Sequence, residues 1–346
     1  MQRVISRLFR SGSVLVLLLS LAGALPAASL VDPNNPTGKA GLVLIDKVGH
    51  HVRFFDPQTL KEISNLDIGT APHDLAISPD HKTVYVPVYG DGVYGNNPHP
   101  GHTIAFIDLA TRQVTATLDV SPYQAPHGIQ VDNAGMLYVT CDISRRLLVI
   151  DPNKRAIEAA IDTDGTGHWL AVLPDGSKAY VTLKNDRGFV AVIDLKQRKL
   201  TARIPMPNGT QGIGASPDGQ RVLVADYREP AFWVVSTATD TVVDKIALKD
   251  NTRGVYKVRY SPDGSQVLAM NSGERLINII SAVDLHGPQT VVKVGKDPMG
   301  YAFTPDGKTA LISNHGDGTV SVIDLVRGVV ASSFTGGTGI ETLAYY

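Results

Sequence analysis

A hairpin unit that recurs along the chain, a second strand pair ending on an aspartate turn, and complementary fragments at the two ends predict an all-β fold. The predicted architecture is a seven-bladed β-propeller of four-stranded blades, the last blade closed by the N- and C-terminal strands. Five stretches read as apolar strand, proline-aspartate turn, apolar strand: LAISPDHKTVYV from Leu75, LAVLPDGSKAYV from Leu170, IGASPDGQRVLV from Ile213, VRYSPDGSQVLA from Val258 and YAFTPDGKTALI from Tyr301. A sixth, IQVDNAGMLYV from Ile129, has a turn one residue shorter. Proline presets φ and glycine accepts positive φ, so each unit is a tight β-hairpin.

Behind each hairpin comes a second strand pair whose first strand ends in a turn: RFFDPQT, AFIDLAT, LVIDPNK, AVIDLKQ, WVVSTAT, SAVDLHG and SVIDLVR. Asp56, Asp108, Asp151, Asp194, Asp284 and Asp324 hold the turn position, with Ser236 once in their place. Short polar side chains there bond the backbone two residues on. Seven tails stand against six complete heads, and the seventh head is divided between the ends. IETLAYY matches an inner strand, and GLVLID from Gly41 to Asp46 matches the strand after the hairpin turn. Joining them closes a ring and protects the strands that an open array would expose. Residues 41–346 are then one domain, at about 45 residues per blade.

The N-terminus carries Arg3, Arg7 and Arg10, an apolar run from Val14 to Leu25, and the small residues PAAS. That layout predicts a secretory signal peptide over residues 1–28, cleaved near Ala24 or Ala28, followed by a turn-rich spacer over 29–40. The apolar run is too short to span a bilayer comfortably, and no other segment approaches that length, so no membrane span is expected after cleavage. A periplasmic or secreted location follows. The only cysteine, Cys141, excludes internal disulfides and c-type haem attachment through CxxCH. The formal net charge is −1, and loss of the three leader arginines takes it to about −4, which does not favour nucleic acid. A monomer is expected.

The recurring PDG turn, the YVT runs at Tyr138 to Thr140 and Tyr180 to Thr182, and the VID tails resemble the YVTN family of bacterial propellers. The resemblance covers essentially the whole chain after the leader. It implies the propeller fold; for function it implies only a range, from ligand-binding and scaffold proteins to sugar lactonases, lyases and haem or quinone proteins. Cys141 stands where that family often has asparagine, and a buried small residue is the expected role.

Eight of the ten histidines map to the face opposite the PDG turns. Counted back from the turn, the residues at one repeat position are His73, His127, His168, Gln211, Tyr256, Met299 and, in the closing blade, Glu341. Ring closure makes Glu341 a neighbour of His73 and gives an arc around the mouth of the axial channel. Three imidazoles beside a carboxylate suit a divalent ion such as Zn or Mn. The same arc also reads as a polar mouth for a small ligand, or as inherited residues that bond neighbouring blades.

The longest insertion, YGDGVYGNNPHPGH from Tyr89 to His102, is expected to be a top-face loop that brings His99 and His102 over the channel. Arg145, Arg187 and Arg228 populate top loops and suit an anionic ligand, while Trp169 is placed to stack on a ring or wedge between blades. The expected function is an exported protein that binds a small polar ligand or divalent metal at this histidine-rich mouth. The competing expectation is a metal-assisted lyase or lactonase-like hydrolase, in which His73, His127 and His168 hold the ion and Glu341 or Tyr256 moves a proton.

Overall fold

The computed structural model describes residues 41–94, 96–183 and 188–346. The expected leader and spacer, residues 1–28 and 29–40, lie outside the described residues, as does Arg187. The described residues form twenty-eight strands, numbered β1 to β28 in chain order, in seven four-stranded antiparallel sheets. No helix occurs among them, and none is long and apolar enough to cross a membrane.

Six blades are consecutive runs of four strands. Their inner strands are β4 (Ala76–Ile77), β8 (Pro126–Val131), β12 (Gly167–Val172), β16 (Thr210–Ala215), β20 (Lys257–Tyr260) and β24 (Pro298–Phe303). The seventh blade has the order β28, β1, β2, β3, namely Ile340–Tyr345, Leu42–Asp46, His51–Phe55 and Glu62–Asp67. Middle strands read as near-continuous apolar runs because both their faces are covered by neighbouring blades; β1 is buried at every position. Between the seventh and first blades, Val43, Ile45, Val52 and Phe54 meet Val84, Val86, Ala105 and Ile107. Each such large side chain contributes about 1.5–3 kcal/mol by leaving water.

The turn aspartates act as expected. Asp56 accepts the N–H groups of Gln58 and Thr59, and Asp324 those of Val326 and Arg327. The PDG hairpins hold a second device: the hydroxyls of Ser78, Ser216, Ser261 and Thr304 each donate to the aspartate two residues on. Each also accepts the N–H that opens the returning strand, at 2.9–3.1 Å.

Closure rests on β28 pairing antiparallel with β1, from Leu42 opposite Tyr345 to Ile45 opposite Thr342. Asp46, fully buried at the end of β1, accepts the N–H groups of Gly49, Thr338 and Gly339 and Nε of Arg53 at 2.8–3.0 Å. Burial pushes its carboxyl up, but these donors outweigh it and hold the group below its usual range.

The insertion differs from the expected loop. It continues β5 (Thr83–Val93) and β6 (Asn96–Asp108) as a two-stranded ribbon, with Gly90 opposite Pro100 and Asp91 opposite His99. Gly90, at φ 97°, makes this possible, because a Cβ there would stand 2.2 Å from the carbonyl oxygen of His99. Paired backbone, rather than apolar side chains, orders a segment whose composition reads as a loop.

Candidate functional site

The repeat register brings the arc together, and buries it. The residues just before or opening the inner strands form one layer across the axis, with His73 4%, His127 0%, His168 3%, Gln211 4% and Glu341 5% exposed. His73 and His127 have ring centroids 3.9 Å apart, and His127 and His168 4.5 Å apart. Nε2 of His73 lies 3.3 Å from Glu341, whose other oxygen lies 3.3 Å from Nδ1 of His315. Tyr89 and Tyr94 cover the layer from above. The Tyr94 ring is 4.4 Å from that of His168 and its hydroxyl donates to the Thr166 carbonyl at 2.6 Å; the Tyr89 hydroxyl donates to Asp142 at 2.7 Å.

This geometry corrects the expectation of an open mouth at the histidines. Neighbouring rings are tilted to one another by 40° and 41°, and all three are buried. Among the described residues no group of three or more histidine, cysteine, aspartate or glutamate side chains is arranged to hold a metal ion. Burial, then the charges of His127, Lys47, His168 and Lys257, holds His73 well below its ordinary value, so the imidazole is neutral near pH 7.

A cavity begins one residue further along each strand. Its volume is about 790 Å³, and it runs down the axis to the hairpin-turn face, where Pro174, Pro217, Pro262 and Pro305 line its rim. None of the seven residues of the arc position lines it. Its closed end is made by their successors Asp74, Trp169, Gly212, Lys257 and Thr342. The inner strands are edge strands, so unpaired backbone groups also face this channel.

The chemistry at the closed end comes from β20. Lys257 and Arg259 are two residues apart and therefore on one side of the strand, and both line the cavity. Lys257 Nζ stands 3.8 Å from the ring centroid of Trp169, a cation–π contact. The neighbouring strand β16 carries glycine opposite each cation. A Cβ on Gly212 would lie 2.7 Å from both Cα and Cγ of Lys257, and one on Gly214 would lie 3.5 Å from Cγ of Arg259. Among the described residues neither cation is ion-paired or hydrogen-bonded through its side chain. Asp74 accepts the Ile129 N–H at 3.3 Å, and burial pushes its carboxyl up against the pull of Lys257. Burial pulls the Lys257 amine down to about 8, opposed by Asp74 and Glu341.

Of the residues singled out in the sequence, His73, His127, His168, Trp169, Gln211 and Glu341 share this buried region. Tyr256 stands beside it, its hydroxyl held well up by burial and by the charges of Glu341 and Asp74. His99, His102, Arg145 and Arg228 are exposed and line no part of the cavity; the ribbon directs His99 outward, where it lies 3.8 Å from Asp91. Cys141 is fully buried and burial pushes its thiol well up, so it is no nucleophile. Sequence reasoning missed Asp74, Lys257 and Arg259. The signal available for the cations was KVRY, an inner strand with two basic residues at alternate positions where no other inner strand carries a lysine or arginine.

No protein-family model and no curated protein matches the chain. Among solved structures it is similar to hydrazine synthase of Kuenenia stuttgartiensis, with a TM-score of 0.68, 19% identity, and coverage of 79% of this chain and 89% of that one. It is also similar to a functionally unknown protein from Desulfotomaculum acetoxidans, with a TM-score of 0.73, 14% identity, and coverage of 88% and 98%. At such identities the likeness shows the β-propeller fold, and the fold alone.

Proposed function

We propose that this is an exported binding protein of the YVTN kind whose axial cavity takes a small, negatively charged polar ligand from the hairpin-turn face. The observation that carries this reading is the pair Lys257 and Arg259, two cations with no ion pair among the described residues that line a cavity of about 790 Å³, Lys257 at its closed end and Arg259 two residues nearer the rim. Lys257 is half-buried whereas Arg259 is exposed to the channel. A cation partly withdrawn from water, as Lys257 is, costs free energy unless an anion or hydrogen-bond acceptors compensate it, so an anionic ligand beside it stabilises this arrangement. The volume falls within the usual range for small-molecule sites. The guanidinium of Arg259 suits a carboxylate or phosphate by paired hydrogen bonds, and the Trp169 face and apolar walls suit the rest of a compact ligand.

The test is calorimetric titration of the protein with small carboxylates, phosphate and sulfate, beside the variants Lys257→Met and Arg259→Gln. The expected result is binding of at least one anion class that either variant weakens by about tenfold or more. Equal affinity in all three proteins, or no anion binding at all, overturns the reading. Elemental analysis of protein purified without chelator tests the competing metal-assisted reading. One Zn or Mn per chain, lost on His127→Ala, would move the chemistry to the histidine layer.

A further inference from the structure

Resting on that reading of the cavity, we propose that Lys257 is a nucleophile whose ε-amine forms an imine with the carbonyl carbon of a small oxo acid, while Arg259 pairs with the acid's carboxylate. The placement of the amine comes first. It sits at the closed end of the cavity, 3.8 Å from the Trp169 ring centroid, with its stem laid across Gly212 of the adjoining strand. A lysine serving only as an anchor for a carboxylate of the protein would be ion-paired. Lys257 has no ion pair among the described residues, and Asp74 at the same end of the cavity turns an oxygen toward the Ile129 N–H instead.

Spacing gives the ligand class. Lys257 and Arg259 are alternate residues of one strand, so their stems start about 7 Å apart on one side. A compact ligand bound between them would offer a carbonyl to the amine and an anion to the guanidinium. Short 2-oxo and 3-oxo acids have that form. Desolvation holds part of the amine neutral near pH 7, the form that attacks carbonyl carbon.

The bonds balance without an oxidant or reductant. The lysine nitrogen lone pair forms a C–N bond as the carbonyl π bond opens, and one N–H proton passes to the oxygen to give a carbinolamine. The C–O bond then breaks as the C=N bond forms, and the oxygen leaves as water with the second N–H proton. Asp74 lines the same end of the cavity and is the carboxyl available to pass that proton. Hydrolysis returns the amine.

The experiment is reductive capture. The protein is incubated at neutral pH with pyruvate and sodium cyanoborohydride, and the product is read by intact mass and peptide mapping. One captured pyruvate per chain on Lys257, absent from Lys257→Met, is the expected result. Arg259→Gln should slow capture of pyruvate by about tenfold while changing capture of acetaldehyde, which has no carboxylate, by less than about twofold. Capture spread over surface lysines, or none at all, overturns the proposal. The wild-type peptide map decides the matter even if a variant fails to fold. Calorimetric binding of pyruvate or acetate without capture overturns the nucleophile and leaves the anion site standing; absence of both overturns the two together.

Discussion

The two ends of the axial channel are built by the same seven inner strands and behave oppositely. At the end where the strands begin, His73, His127, His168, Gln211 and Glu341 fill the axis and are buried. At the end where they leave into the proline turns, the axis is an open cavity. Side chains alternate along a strand, so a step of one residue changes which face a residue serves and at what depth it sits. The residues most conspicuous in the sequence thus close the channel, and their immediate successors furnish it.

The largest effect expected at the closed end comes from deleting residues 340–346. This removes β28, and with it Glu341 from the histidine layer, and bares the edge of β1. The loss is comparable with the whole stability of a domain, roughly 5–15 kcal/mol, and a circular-dichroism melt should show no cooperative transition near that of the intact chain. A retained transition would break the claim that this end is held by ring closure.

Asp46 is the clamp of that closure. Asp46→Ala leaves the Gly339, Thr338 and Arg53 donors without their acceptor and should cost about 3–5 kcal/mol in denaturant unfolding. Its folded carboxyl is held below the ordinary 3.8, so its contribution is full above that pH and is lost as pH falls through the lower folded value. The wild-type should lose stability across that acid window, and Asp46→Asn should show a flatter profile there.

Inside the cavity, next to the histidine layer, Gly212→Ala drives a methyl group to within 2.7 Å of Cα and Cγ of Lys257. Overpacking of this kind costs about 1–3 kcal/mol. The same change displaces the amine and should weaken anion binding by about tenfold, read by paired calorimetry. A variant that loses stability but binds normally would show that the two properties of this site are separable.

The histidine layer should give a smaller, pH-dependent effect. The folded imidazole of His73 is held below its ordinary 6.5, so the unfolded chain takes up its proton first as pH falls. Stability at this end should therefore decline from pH 6.5 downward until the lower folded value is reached, by roughly a few degrees of melting temperature. His73→Phe should flatten that decline.

The smallest effect belongs to the ribbon. Tyr94→Phe removes the hydroxyl that donates to Thr166 and should cost about 1 kcal/mol. Replacing residues 91–101 by a short turn also strips Tyr94 from His168 and should lower the melting temperature further than the point variant does. The sequence alone predicts a melting temperature within a few degrees of the intact protein after that replacement, because the segment contains few apolar side chains to bury, with a weaker affinity for ligand or metal.

Blade number, closure and the turn aspartates were legible because each is a local pattern repeated along the chain, and repetition exposes the register. The same register placed Glu341 beside His73 although 268 positions separate them in the chain. The state of the arc was not legible. Whether seven side chains leave a mouth or close it depends on their summed volume against the axial radius, and on Tyr89 and Tyr94 reaching over from another part of the first blade. Lys257 carried a weak signal, since basic residues are common in loops and its strand begins at that residue.

By itself the sequence determined the seven blades, their hairpins and the pairing of the two ends, because backbone periodicity and turn chemistry act between near neighbours. Only the tertiary structure decided which layer of the axis is filled and which is open, that the insertion is paired ribbon, and that Lys257 and Arg259 meet a cavity. Those outcomes depend on how seven separate strands share one axis, and that packing is set by volumes and distances that no single stretch of the chain contains.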